Sequence, residues 1–482
     1  MTDRDWTAEA LRHTITHLTD ALIVGYGVTG RAVALSLRRR GVHVVIIDDS
    51  PQRVVNQASA DGLDVTSPSE IELREILSQV QIALPSPGVP QHHRSYALAD
   101  ELNVPIVSEL DLAAVWDSRP IAAVTGTNGK TTVTTLVTTM LRRSGFRALA
   151  TGNTDIPLVE AIDSDPDAQM FVVEASSFRL ERARLFRPDV AVWLNLAPDH
   201  LDWHGDLASY AAAKARVWAA QTADDVAVIP ADDPIVAEYG DLAPARKITF
   251  AGPGATADVC VINGAIVAHG HRLVNIAEMR RQRPHDISNA CAAAAVALAM
   301  GADSEAISDE LREFTGLPHR LQYVGQVTNG GFVVSFYNDS KATAPHATVA
   351  ALRGFESAVL IAGGRNKDLD LSGLTEIAGH LQSVVAIGEA ADEVAAVFTG
   401  LVRVETATSM KEAVEIAWRL ATQENSEQLH RDVVLSPACA SFDWYPNYGA
   451  RGDDFTAVVA ELADRVADPA SDIPAVFPGD DR

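Results

Sequence analysis

Cysteine is scarce in this 482-residue chain: Cys260, Cys291 and Cys439 stand far apart and form no CxxC pair. That excludes a disulfide framework and a structural zinc site and fits a reducing compartment. Cations are in deficit. Lys and Arg number 39 against 64 Asp and Glu, a formal net charge of −25. A general nucleic-acid or anionic-membrane surface is thereby excluded, and any anionic substrate must be met by a local cluster of positive side chains. Long apolar runs are also missing. The longest, Ala290 to Met300, is too short and too alanine-rich to cross a bilayer and reads as a buried helix opened by Ser288. Met1-Thr2-Asp3-Arg4-Asp5 is too acidic for a signal peptide, so a cytoplasmic protein without membrane insertion is expected. No internal repeat stands out. The stretch from about residue 468 onward, rich in Asp, Ala and Pro, reads as a loose tail.

What is present is an α/β pattern. At about 150 residues per domain the length suggests three domains, and strand-like runs alternate with helical segments almost throughout. The first unit opens with Ala21 to Val24, then Gly25-Tyr26-Gly27-Val28-Thr29-Gly30, a helix to Arg40 and a strand from Val42 to Ile47. This is a GxGxxG fingerprint with Asp48 placed 18 residues after its third glycine, as in a dinucleotide site with the acid on a ribose. The next strand begins near Ile121, which is tight for both halves of a full dinucleotide fold. A smaller Rossmann-like unit holding one nucleoside diphosphate fits that spacing better than NAD. A β-rich insert lies around 247–275, and later strands are expected at 358–362, 383–387 and 432–435. Asn329-Gly330-Gly331 signals a hairpin.

The richest stretch is Ala122 to Thr132. An apolar strand runs into Gly126-Thr127-Asn128-Gly129, followed by Lys130-Thr131-Thr132 and a helix to Arg143. Backbone N–H groups at such a turn cradle phosphates, the lysine spans the terminal ones, and a threonine hydroxyl can hold Mg²⁺. Val124 stands where the general phosphate-loop pattern needs glycine, so this is a shortened form. Glu174 closes the apolar run Phe171-Val172-Val173, the place for a magnesium ligand in a parallel sheet. His200 lies between Asp199 and Asp202 after another strand and is a candidate metal ligand. Lys214, in Tyr210-Ala211-Ala212-Ala213-Lys214, reads as an ordinary solvent-exposed helical lysine.

Five motifs together carry a resemblance: Thr-Gly-Thr-Asn-Gly-Lys-Thr-Thr, Glu-Ala-Ser-Ser-Phe, Leu-Asn-Leu-Ala-Pro-Asp-His-Leu-Asp, Phe-Thr-Gly-Leu-Pro-His-Arg (314–320) and Asn-Asp-Ser-Lys-Ala-Thr (338–343). From the first Gly-rich turn to about residue 460 the chain resembles a Mur ligase. Asn338 to Thr343 and Ser436 to Ser441 resemble the D-glutamate-adding branch. The resemblance implies three domains: a Rossmann-like N-terminal unit at 1–118, a central P-loop-type ATPase domain with a mostly parallel sheet at 119–315, and a Rossmann-like C-terminal domain at 316–482. It implies a monomer that uses ATP to join D-glutamate to UDP-N-acetylmuramoyl-L-alanine through an acyl phosphate. The alternatives are another Mur ligase, a folylpolyglutamate synthase, or an NAD-dependent oxidoreductase built on the N-terminal fingerprint.

The site residues follow from the same resemblance. Gly126 to Thr132 hold ATP, with Lys130 on its β- and γ-phosphates and Asn289 near its adenine. Two Mg²⁺ ions are implied: Thr131 and Glu174 bind one, and His200 serves the other with Lys214, now carrying a carbamate from CO₂. Arg320 reaches the phosphates from a linker, and Asp339 and Lys341 border the nucleotide. Thr343, Lys367, Ser441 and Tyr448 hold D-glutamate. Gly27, Val28, Thr29 and Asp48 hold the UDP substrate with Ser86, Pro87 and Gly88, joined by Asn153 and Ser176. Three departures stand out. Asp49-Ser50 replaces a Thr-Arg pair, so Asp49 is expected to turn away and another cation to compensate. Asp286 replaces an asparagine, and Thr154-Asp155 replaces Ile-Gly.

Overall fold

The computed structural model describes residues 6–153, 156–329, 331–366, 369–423 and 430–467. The chain divides after Phe314 into two compact units.

The first unit contains two sheets. The smaller is built from β1 (Asp20–Val24), β2 (His43–Ile47), β3 (Val65–Thr66) and β4 (Ile82–Pro85), all parallel, in the order β3-β2-β1-β4. β1 thus has β2 on one side and β4 on the other. The chain changes direction across the sheet there, and the crevice beyond the carboxyl ends of β1 and β4 is where such sheets take ligands. The helix Val28–Arg39 leaves the Gly-rich turn so tightly that a Cβ on Gly30 would lie 2.0 Å from the Gly25 carbonyl oxygen. Only glycine fits, which is the physical content of the third glycine of the fingerprint.

The larger sheet comprises β5 (Ile121–Thr125), β6 (Ala148–Gly152), β7 (Met170–Glu174), β8 (Val190–Trp193), β9 (Val226–Pro230), β10 (Arg246–Phe250), β11 (Val259–Ile262), β12 (Ala265–Ala268) and β13 (His271–Asn275). Its order is β13-β12-β11-β10-β9-β8-β5-β7-β6, parallel from β11 to β6 and antiparallel through β11, β12 and β13. β5, β7, β8 and β9 are buried along their whole length, which is why they read as unbroken apolar runs. The phosphate-loop turn follows β5, at the point where the sheet's strand order reverses. The alanine-rich helix packs on one face through Ala290 to Ala297, whose small side chains allow a close approach. It starts at Pro284, four residues before the Ser288 expected from the sequence. Proline at the first helical position needs no N–H partner and presets φ.

One apolar cluster joins the two sheets of this unit. Leu37 of the helix Val28–Arg39 lies in the same core as Leu158, Val159 and Ala161 beside the second sheet, and Asp163 binds Arg39 and Arg40 at 3.1 and 2.8 Å.

The second unit carries β14 (Gln322–Asn329), β15 (Phe332–Asn338), β16 (Ala358–Gly363), β17 (Leu381–Ile387), β18 (Arg403–Ala407) and β19 (His430–Ala438) in the order β14-β15-β19-β16-β17-β18. β14 and β15 form the antiparallel hairpin signalled by the sequence, and the remaining pairs are parallel. Gly330 of that signal, Thr154, Asp155, Lys367 and the expected tail lie outside the described residues. Among the described residues no helix is long and apolar enough to cross a membrane.

Candidate active site

The turn after β5 is held from outside. Asn195, two residues past β8, accepts from Asn128 N at 2.9 Å through its side chain and returns a bond to Asn128 O at 3.1 Å. Thr127 Oγ1 donates to Ala197 O at 3.2 Å and accepts from Ala197 N at 3.0 Å. Gly129 caps the helix Lys130–Arg143 with φ of +85° and offers no side chain to its first N–H groups, which leaves them for an anion. Asn289, 160 positions along the chain, sits so close that a Cβ on Gly129 would lie 2.4 Å from its Oδ1. Lys130 Nζ folds over the turn and donates to the carbonyls of Gly126 and Thr127 at 2.9 and 2.8 Å. Thr131 and Thr132 open the same helix.

The neighbouring strand ends bring in oxygens. Val124 and Gly152 flank Glu174 in register. Glu174 is 3% exposed, its Oε1 accepts from Asn153 Nδ2 at 3.2 Å, and its Oε2 is buried and accepts no hydrogen bond. Thr125 Oγ1, Thr151 Oγ1 and Ser176 Oγ share that condition. Four partnerless buried oxygens at the carboxyl ends of β5, β6 and β7 are costly unless a ligand engages them.

Lys214 corrects its reading from sequence. It is 1% exposed rather than solvated, because the helix Leu207–Ala215 turns it inward, against the Tyr210 ring at 4.5 Å and onto Gly126 O at 2.7 Å. Burial, with Lys130 nearby as a second cause and Asp199 opposing, pulls its amine down to about 6. His200 adopts φ of +51°, stays partly exposed beside Asp199 at 3.4 Å and meets the Phe178 ring at 4.9 Å.

A cleft of about 420 Å³ opens at the carboxyl ends of β1, β2 and β4. It gathers Gly27, Val28, Thr29, Asp48, Ser86, Pro87, Gly88 and Asn153, all singled out from the sequence, while Ser176 is not among its walls. Asp48 is occupied by backbone: its two oxygens accept from Tyr26 N at 2.9 Å and Ser50 N at 2.8 Å. Asp49 does not turn away as expected. It lines the cleft, with His93 Nε2 at 3.3 Å. Asp286, the other departure, binds Arg281 at 2.9 Å.

In the second unit, Asp339 is 5% exposed and accepts from Leu321 N and Ser436 Oγ at 3.1 and 2.8 Å. Burial raises its carboxyl to about 7, against the neighbouring Arg320. Lys341 Nζ lies 5.8 Å from the Tyr448 ring, and the Ser340 hydroxyl donates to Tyr448 O at 2.8 Å. Ala438 N binds Ala342 O at 3.0 Å, which brings Thr343 and the Ser436–Ser441 stretch to one end of the sheet. Ser441 is buried and Tyr448 is 37% exposed. Sequence reasoning did not single out Asn195, His93, Arg94 or Arg179. Asn195 was visible only as a polar residue just past a strand, and Arg179 as the residue after Ser-Ser-Phe.

A phosphate-loop turn at the reversal point of a parallel sheet, with an acid on the adjacent strand end, defines an α/β protein of the phosphate-loop class. Residues 124–297 match the Mur ligase middle domain, and 319–438 match the Mur ligase, glutamate ligase domain. Residues 17–87 match the acetohydroxy acid isomeroreductase, NADPH-binding domain. Among curated relatives, the UDP-N-acetylmuramoylalanine--D-glutamate ligase of Desulfosudis oleivorans is 39% identical over 92% of this chain and 96% of its own. The ligase of the same name from Frankia casuarinae is also 39% identical, over 91% and 93%. The one from Bacillus cereus is 32% identical over 92% and 97%. In fold, MurF from Acinetobacter baumannii superposes with a TM-score of 0.52 at 20% identity, covering 80% of this chain and 85% of its own. A pseudomurein peptide ligase type C from Methanothermus fervidus gives 0.51 at 16% identity, covering 92% and 100%. The chain belongs to the Mur ligase family, ATP-dependent ligases of peptidoglycan-precursor synthesis. The oxidoreductase alternative is not favoured: the dinucleotide-type match is confined to the first parallel unit, whereas the ligase relatives span nine-tenths of the chain.

Proposed function

We propose that the chain joins D-glutamate to UDP-N-acetylmuramoyl-L-alanine at the expense of ATP, in the cytoplasm. The reading rests most on one observation: Glu174 Oε2 and three hydroxyls stand partnerless at the strand ends beside the Lys130 turn. That is a hard-oxygen donor set on a phosphate cradle, and it fits Mg²⁺. Among the described residues no three His, Cys, Asp or Glu converge as a metal cage, and Mg²⁺ commonly draws ligands from substrate phosphates and water. Bound Mg²⁺ would neutralise phosphate charge; Thr131 and Glu174 would hold one ion, and His200 with Lys214 would serve a second.

The chain's own residues do the rest. Gly126 to Thr132 bind the triphosphate, and Lys130 leaves its carbonyl partners for the β- and γ-phosphates. Two unit charges 4 Å apart interact by about 4 kcal/mol at an effective dielectric near 20, so this lysine alone can account for about a thousandfold in rate. Asn289 borders the adenine. Lys214, neutral at pH 7, can capture CO₂ and release a proton to become a carbamate. The cleft of the first sheet holds the UDP moiety, and Asn153 orients the muramoyl part. The substrate carboxylate attacks the γ-phosphorus and ADP leaves. The D-glutamate amine then attacks the acyl phosphate, phosphate departs and the amine proton goes to solvent. Arg320, Asp339 and Lys341 serve the nucleotide, and Thr343, Lys367, Ser441 and Tyr448 hold D-glutamate. Catalysis is charge neutralisation and positioning.

Phosphate release tests this. It should require ATP, the UDP-sugar peptide and D-glutamate together, and a panel of amino acids should yield product with D-glutamate alone. Release with neither acceptor present, or equal use of L-alanine, would refute the assignment.

A further inference from the structure

The cleft of the first sheet is more acidic than a pocket for an anion should be. Asp48 and Asp49 line it, and Glu109 lies behind its wall. Three basic side chains also line it, His93, Arg94 and Arg179, and they are engaged differently. His93 is committed: its Nδ1 accepts from Ser95 N at 3.2 Å and its Nε2 faces Asp49.

Arg94 opens the helix Arg94–Glu101, is half-buried, and donates from Nη2 to the Pro68 carbonyl at 2.5 Å. It forms no ion pair among the described residues, so its charge faces a neutral partner. Arg179 is 6% exposed and belongs to the segment that follows β7. Its Nη2 donates to Thr29 Oγ1 at 2.9 Å and its Nη1 binds Glu109, while its Nε is buried with no acceptor. Thr29 is the second residue of the helix Val28–Arg39, whose amino end has no side-chain cap. Uncapped N–H groups, a buried guanidinium with a spare donor and a second guanidinium at the rim therefore face one space.

We propose that Arg94 and Arg179 are the cations that clamp the substrate's diphosphate over the amino end of the helix Val28–Arg39, Arg179 from the wall and Arg94 from the rim. This rests on the reading of the cleft as the UDP-sugar site. An arginine fork matches a phosphate's oxygens in geometry and charge, and exchanging a neutral carbonyl for a phosphate oxygen strengthens Arg94's bond. The two arginines also offset Asp48, Asp49 and Glu109, which would otherwise repel the ligand. Because Arg179 follows Glu174 by five residues, diphosphate recognition is tied to the strand end that carries the buried acid.

The test titrates the full chain with UDP and, separately, with uridine, which keeps the nucleoside and lacks the phosphates. Arg94→Ala changes a half-buried rim residue. Arg179→Gln is paired with Glu109→Gln, so that no unpaired buried charge remains. Each change should weaken UDP at least about tenfold, as for loss of a charged hydrogen bond, and leave uridine unchanged; Arg94→Lys should recover part of the loss. If the double variant does not fold, the Arg94 pair of variants decides. UDP affinity equal to wild type in the folded variants overturns the clamp while leaving the cleft's assignment standing. A wild-type chain that binds neither probe overturns the cleft's assignment and the clamp with it.

Discussion

Lys214 and Lys130 share one acceptor: the Gly126 carbonyl takes a hydrogen bond from Lys214 Nζ at 2.7 Å and from Lys130 Nζ at 2.9 Å. Two ammonium groups cannot both stay charged cheaply at such a distance in a buried setting. Lys214 is the deeper of the two, and burial first, Lys130 second, bring its amine down to about 6.

A neutral amine is the form that captures CO₂. With ¹³C-labelled CO₂, a lysine carbamate signal should appear in wild-type protein at pH 7.5 and be missing in Lys214→Met. Its pH dependence should follow an amine titrating near 6, not near 10.5. Lys214→Met should lose about a thousandfold in turnover with the fold intact. Near-normal turnover in that variant would remove the carbamate from the chemistry.

The same shift has a stability consequence. Between about 6 and 10.5 the unfolded chain binds a proton at Lys214 that the folded chain does not, so stability rises with pH across that window. In CO₂-free buffer Lys214→Met should therefore be more stable than wild type at pH 7, by an advantage that shrinks toward pH 10. Urea midpoints at both pH values read this directly. An advantage that is constant with pH would mean that the lysine stays charged.

Gly30→Ala tests the tight exit from the first turn. Its Cβ would meet Gly25 O at 2.0 Å and Ser86 Oγ at 2.6 Å, and the carbonyl belongs to backbone that cannot rotate aside. A loss of about 2 kcal/mol or more is expected, in the range for overpacked sites, with weaker UDP binding. An unmoved denaturation midpoint would contradict the close approach.

Asp339 makes the opposite pH prediction in the second unit. Its carboxyl is raised to about 7 by burial, so the folded form keeps a proton that the unfolded form loses near 3.8. That contribution is complete below the unfolded value and is lost as pH rises through 7. Asp339→Asn should gain on wild type from pH 5 to pH 8. Chemical denaturation at the two pH values yielding the same difference would show that the acid is ionised throughout.

Much of the fold was legible because buried parallel strands are apolar along their length. β5, β7 and β16 announced themselves in that way, and β1, β2 and β17 through shorter apolar runs. β6 did not: Ala-Leu-Ala-Thr-Gly has little β-branched character, and its place at the sheet edge beside β7 comes from tertiary pairing. β4 ends in proline and was equally silent. The phosphate turn and Glu174 were readable because their chemistry demands a local pattern. Lys214 was misread because a lysine among alanines carries no sign of what packs over it; only the fold supplies Tyr210 and Gly126. The cations of the first cleft were illegible for the same reason, since Arg179 belongs to a segment 150 residues from the turn it meets.

Asn195 grips Asn128 from both sides, and Thr127 is tied to Ala197 in the same way. The anion receptor is thus shaped during folding, by side chains that make no demand on the nucleotide. Ordering of that segment is already complete when the triphosphate arrives, so the strength of capture is set by charge and by the ions that accompany it, with little entropy left to lose.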